Sequence, residues 1–162
     1  MAEIFCKKLH TAQSRVWTEG SQHQYNVVRC GRRWGKTAIL GNIAISYATS
    51  LFKETGGERL QGGRVGIFTA EYRQQQEIFD YLEEALLPLI KSKSRSDGRI
   101  ILKYKCRFDF WVTNNNPLAG RGREYDVVLI DEAAFTKSPE MLKEIWPKSI
   151  KPTLLPRRGR AW

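Results

Sequence analysis

Lys36 and Thr37 follow Gly35, and 95 residues after Lys36 the carboxylates Asp131 and Glu132 end an apolar run. A lysine at the start of a helix, behind a turn that gathers backbone N–H groups into one space, can hold the outer phosphates of a nucleotide. The register is Cys30-Gly31-Arg32-Arg33-Trp34-Gly35-Lys36-Thr37. Gly31, Arg33, Trp34 and Gly35 would line the phosphates, with Gly35 permitting close backbone approach. Lys36 would reach the β and γ oxygens, and the Thr37 hydroxyl would bind Mg²⁺. Cys30 stands where the usual pattern has its first glycine, which weakens the match on this stretch alone.

The second half of the chemistry is "VVLIDE". Four apolar residues deliver Asp131 and Glu132 to the carboxyl end of a strand, the edge at which open α/β sheets bind ligands. Asp131 can hold the Mg²⁺ water shell. Glu132 is placed to polarise an attacking water, which points to hydrolysis rather than transfer to an acceptor. The bland alternative is an Asp-Glu pair that caps the next helix. Arg32 and Arg33 lie inside the loop, and either could neutralise charge on a departing γ-phosphate. Arg121, in the glycine-flanked "NPLAGRGREYD", could reach a neighbouring subunit. For any one of these arginines a solvated charge or a DNA phosphate contact is the plainer reading.

These residues need a scaffold. The pattern predicts strands over 25–30, 64–70, 99–105, 107–113 and 125–132. It predicts helices over 36–51 and 72–90, the latter with Ile78, Leu82, Leu86 and Leu89 in one stripe. Gln13 and Trp17 fall on a short helix within 1–24. Residues 53–63 and 91–98 read as loops. A last helix starts with Ser138 as N-cap, Pro139 at its first position and Glu140 at the positive dipole end, and closes at Pro147. Alternating strands and helices indicate a three-layer α/β domain with a mainly parallel sheet.

The 162 residues carry 41% hydrophobic and 27% charged side chains and a net charge of +10. The ordinary apolar content suits a globular core. The surplus of positive charge favours a polyanionic partner, nucleic acid before membrane. Cys6, Cys30 and Cys106 are odd in number and widely spaced, so neither a disulfide framework nor a zinc site is indicated. The first residues are charged where a signal peptide is apolar, and no run approaches a membrane span.

Together "CGRRWGKT", "PLAGRGREYDVVLIDEAAF" and "LHTAQSRVW" resemble the ATPase domain of the large terminase subunit, the DNA-packaging motor of tailed bacteriophages. In that family the loop departs from the full glycine pattern and carries an arginine four residues before the lysine, the place Arg32 holds. The resemblance implies a P-loop fold of the additional-strand catalytic-glutamate type, with ATP and Mg²⁺ as nucleotide and metal. It implies that Gln13 reads adenine and that Arg121 acts on an adjacent subunit of a homo-oligomeric ring. Residues 1–24 would form the adenine side and 25–162 the P-loop core. "IFTAEYRQ" resembles the family's second strand, with Ala70 in place of a proline.

The resemblance further implies ATP hydrolysis that drives double-stranded DNA translocation. Portal and small terminase subunits would be partners, and the site of action would be the cytoplasm of an infected bacterium. Basic loops 91–95, 103–107 or 157–160 would grip DNA through its phosphates. Family members are longer, with a coupling motif and a nuclease domain. The expectation is therefore a truncated chain of low stability that stops just before a central strand. A helicase-like ATPase and a non-catalytic nucleotide- or DNA-binding fragment are the alternative readings.

Overall fold

The computed structural model describes residues 4–54, 62–103, 105–114, 116–133 and 139–162, with the backbone alone described for 50–54 and 139–141. Its sheet has strands β1 (Arg64–Thr69), β2 (Ile90–Ser94), β3 (Arg99–Leu102), β4 (Arg107–Val112), β5 (Val127–Ile130) and β6 (Arg160–Ala161). Their order across the sheet is β2-β3-β4-β1-β5-β6. From β4 to β6 all pairings are parallel, and β2 and β3 add an antiparallel edge. Helices α2 (Lys36–Glu54) and α3 (Tyr72–Leu86) cover one face. On the other lies a helical run made of α4 (Pro139–Ile145), a π turn (Trp146–Ile150) and α5 (Lys151–Leu154). Helix α1 (Thr11–Gly20) packs beside α2. This is the expected three-layer α/β architecture.

Two cores sit on the two faces. Ile43, Ile67, Ile78, Leu82, Phe108 and Leu129 belong to the larger one, between the sheet and α2 and α3. Phe68, Tyr125, Val128, Ile145, Ile150 and Leu154 form the other. Period-two alternation decides which side chain faces which core. Phe108 and Phe110 of β4 turn to α2 and α3, while Asp109 turns to the opposite face. There Asp109 is only 3% exposed and accepts from Arg99 and Arg107. Burying that carboxylate is tolerable because two guanidinium groups and the Tyr125 hydroxyl satisfy it.

Several elements differ from the sequence reading. Residues 25–30 do not form a strand. Tyr25 makes a single bridge to Ala161, and 26–30 run outside any ladder. A strand exists only where another backbone pairs with it. Here β6 lies between β5 and Tyr25, and residues 26–30, Ile130 and Ala161 line a cavity of about 660 Å³. Val27 is 98% exposed. Arg160 and Ala161 pair with Val127 and Val128.

The basic stretch 91–98 is not a loop throughout. Ile90–Ser94 is the edge strand β2, and only 95–98 turn, with Gly98 at φ 57. Alternating Lys and Ser make poor core but a good edge, because lysines discourage pairing with another chain. Helix α3 ends at Leu86, earlier than predicted. Pro88 lacks the N–H that would continue it, and a 3₁₀ turn, Leu87–Leu89, carries the chain into β2. Pro147 does not close the last helix. The chain passes it in a π turn and remains helical to Leu154. The π register absorbs the proline, and burial of Ile145, Ile150 and Leu154 keeps the run on the sheet. Ser138 and most of the 53–63 loop lie outside the described residues.

Candidate nucleotide site

Gly35 takes φ 85, a left-handed conformation that few side chains tolerate, and its carbonyl accepts from Ala38 and Ile39 to start α2. The chain thus turns from the loop into the helix in one residue, leaving the first N–H groups of α2 without helical partners. Lys36 and Thr37, both half-buried, occupy that first turn. Behind the loop, Gln13 is 4% exposed and donates from Nε2 to the carbonyls of Trp34 (2.9 Å) and Gly35 (3.1 Å). Its Oε1 accepts from the His10 N–H at 2.9 Å. The His10 ring meets Trp34 edge-on, with centroids 5.3 Å apart. The whole Gln13 amide is therefore engaged with the protein, and α1 acts as a backing for the loop.

Strand β5 packs against α2, and its last residue, Ile130, lines the same cavity as Cys30 and Trp34 of the loop. Beyond Ile130 the Asp131 N–H donates to the Phe68 carbonyl at 2.9 Å, and Glu132 takes φ 52. That left-handed residue turns the chain at the carboxyl end of the sheet, a conformation that costs a non-glycine residue about 1–2 kcal/mol. Glu132 Oε1 stands 3.2 Å from Lys36 Nζ. Its Oε2 accepts from Gln74 Nε2 at 2.5 Å. Asp131 is 8% exposed. Burial, and secondarily the negative charge of Glu132, push its pKa up, against the pull of Lys36. The site holds two carboxylates against one lysine, an arrangement that a cation would relieve.

Lys36, Asp131 and Glu132 therefore meet at one edge of the sheet, and all three line the 660 Å³ cavity. No group of three or more His, Cys, Asp or Glu side chains among the described residues could hold a metal alone. Mg²⁺ commonly takes one or two protein carboxylates together with waters and phosphate oxygens, and Asp131 is a donor of that kind.

The arginines are not drawn in. Arg32 and Arg33 are exposed on the loop, Arg33 at φ 61, and Gly31 has open space around it. Arg121 is exposed in a turn between Gly120 (φ 77) and Gly122 (φ 75). No described hydrogen bond or ion pair joins it to Lys36, Asp131 or Glu132. The basic segments nominated for DNA are largely tied up internally. Lys93 and Arg95 pair with Glu83 of α3, Arg107 with Asp109, and Arg157 with Asp126. Arg160 donates to backbone carbonyls of Ser21 and His23. Lys91 and Arg158 are exposed.

Sequence reasoning missed Gln74 and His10. The signal for Gln74 lay in "IFTAEYRQ": a glutamine in the first turn of the helix that follows a strand's carboxyl end. No described helix is long and apolar enough to cross a membrane.

No protein-family model and no curated protein matches the sequence. Solved structures do match the fold. The large terminase ATPase domain of Thermus phage P74-26 is 23% identical, covers 95% of this chain and 63% of its own, and superposes with a TM-score of 0.70. The HK97 bacteriophage large terminase gives 13% identity, coverage of 96% and 32%, and a TM-score of 0.71. The large terminase of a thermophilic bacteriophage, solved in complex with ADP, gives 13%, 94% and 37%, and 0.64. This chain has the fold of phage large terminase ATPase domains and spans less than two thirds of the length of these structures.

Proposed function

We propose that this domain binds ATP with Mg²⁺ between the 30–37 loop and Asp131–Glu132 and hydrolyses it as the motor of double-stranded DNA packaging in a phage. The observation that carries the reading is the meeting of Lys36 and Glu132 at 3.2 Å, beside a buried Asp131, at the carboxyl edge of the sheet. In open α/β sheets the carboxyl ends of the strands are where ligands bind. Mg²⁺, when bound, would neutralise charge on the phosphate oxygens.

Lys36 leaves Glu132 for the β and γ phosphates, and the N–H groups from Gly31 to Thr37 close around them. Thr37 and Asp131 would hold the metal. Glu132, freed from Lys36, takes a proton from the attacking water. Arg32 in cis and Arg121 from an adjacent ring subunit stabilise the departing phosphate, and Arg33 and Trp34 line the nucleotide. Gln13 fixes the loop from behind. For Gln13 to read adenine its amide must give up the Trp34 and Gly35 carbonyls. The net charge of +10 supports a polyanionic partner gripped without base reading.

ATP turnover with and without double-stranded DNA, in the wild type, Glu132→Ala and Lys36→Ala, tests the reading. Loss of a general base costs roughly 10²–10⁴-fold in turnover, and loss of the lysine removes the positive charge on the β and γ phosphates, so both variants should fall to background. Equal phosphate release in all three proteins refutes hydrolysis at this site and leaves a binding domain.

A further inference from the structure

Glu132 has two partners, and they belong to different states. Lys36 is the one that phosphate would take away. Gln74 is not: it sits in the first turn of α3, and its amide is oriented by the backbone rather than by the site. Its Oε1 accepts from the Glu71 N–H at 3.0 Å, so Nε2 is the end left to face Glu132. Helix α3 is in turn fixed to the sheet. Its residues Ile78, Phe79, Leu82 and Leu86 are buried in the core shared with β1 and β4. The Thr69 hydroxyl donates to the Glu71 carbonyl at 3.2 Å and ties the helix start to the end of β1.

We propose that Gln74 is the positioning residue for Glu132, holding its Oε2 through Nε2 so that Oε1 faces the attacking water once Lys36 has turned to the phosphates. The proposal rests on the ATPase reading above. A carboxylate at left-handed φ, on a chain leaving a strand, has rotamer freedom that must be removed before it can act as a base. Lys36 removes it only while the loop is without phosphate. Gln74 donates in both states. It also links α3, and through it the β2–β3 edge with Lys93 and Arg95, to the reacting carboxylate.

Gln74→Glu separates this role from a structural one. Glutamate keeps an acceptor for the Glu71 N–H, and it is favoured three residues after a helix N-cap, so folding is preserved. Opposite Glu132, however, it replaces a donor with a like charge. The expected result is a melting temperature close to wild type, a KM for ATP within about threefold, and a kcat lowered by about 10²-fold, the scale of a misplaced catalytic group. Gln74→Ala should lose both hydrogen bonds and show the same kcat defect with reduced stability. If the wild type hydrolyses ATP and Glu132→Ala does not, but Gln74→Glu turns over as wild type, the positioning role is wrong and the ATPase reading stands. A crystal structure with a non-hydrolysable ATP analogue reads the geometry without turnover. Gln74 Nε2 should remain within hydrogen-bond distance of Glu132 while Lys36 Nζ lies on phosphate; a Glu132 that has left Gln74 overturns the proposal. A wild type that binds no nucleotide overturns both.

Discussion

Gly35→Ala should damage the site through two separable effects. The first is the backbone. At φ 85 an alanine pays about 1–2 kcal/mol for its Cβ. The second is Gln13. A Cβ at position 35 would stand 2.4 Å from Gln13 Nε2, well inside contact distance. The amide is the end of a flexible side chain, so it moves, and the cost is the hydrogen bonds to Trp34, Gly35 and His10. Each is worth about 0.5–1.5 kcal/mol net, and water at the half-exposed loop restores part of the three, leaving about 1–2 kcal/mol. The single substitution should therefore cost about 2–4 kcal/mol, which for a domain of this size lowers Tm by roughly 4–16 °C. In a Gln13→Ala background the second effect is already gone, and Gly35→Ala should cost only the backbone part. Chemical denaturation of the four proteins closes the double-mutant cycle, with an expected coupling of about 1–2 kcal/mol. Strictly additive losses would refute the contact between Gln13 and the loop. An unchanged Tm in Gly35→Ala would refute the left-handed turn itself.

Two further substitutions probe the scaffold. Tyr125 is fully buried, donates to Asp109 and accepts from Trp111 Nε1 at 2.8 Å. Tyr125→Phe leaves the indole N–H without its acceptor and should cost about 1–3 kcal/mol by denaturant titration. Glu83 accepts from Lys93 and Arg95, and the Lys93 hydrogen bond holds its pKa below the usual range despite some burial. A lowered folded pKa means that the contribution is present above the unfolded value, about 4.3, and is lost as pH falls through the folded one. Glu83→Gln should thus cost about 0.5–1 kcal/mol at pH 7, as partly exposed pairs do, and the gap between the two melting curves should close in acid. A gap that persists in acid would show that the pair's charge is not its contribution.

What was legible in the sequence and what was not divide along a physical line. Lys36, Asp131 and Glu132 were readable because each sits at the end of a segment whose own periodicity marks it: a buried helix after a glycine, and a four-residue apolar strand. The α/β class followed from the same local patterns. Gln74 was not readable as a site residue, because its meaning depends on β1 standing beside β5, with Phe68 opposite Ile130. That is a fact of topology and not of spacing. Residues 25–30 have the composition of a strand, but pairing is decided by a second backbone, and only Tyr25 and Asn26 meet one, at Ala161. Pro147 was misleading for the opposite reason. The local rule ends the helix, while the burial of Ile150 and Leu154 carries it past the proline. The ion pairs of Lys93 with Glu83 and of Arg157 with Asp126 were not readable either, because each joins segments that only the fold brings together.

Calorimetric titration of ATP in the presence of Mg²⁺ into the wild type and Lys36→Ala asks whether the lysine and the carboxylate pair share one ligand. The account predicts binding by the wild type that needs Mg²⁺, an affinity at least about tenfold weaker in Lys36→Ala (a loss of about 1.4 kcal/mol or more), and loss of the Mg²⁺ dependence in Asp131→Asn. Equal affinities in all three proteins, with and without the metal, would contradict it.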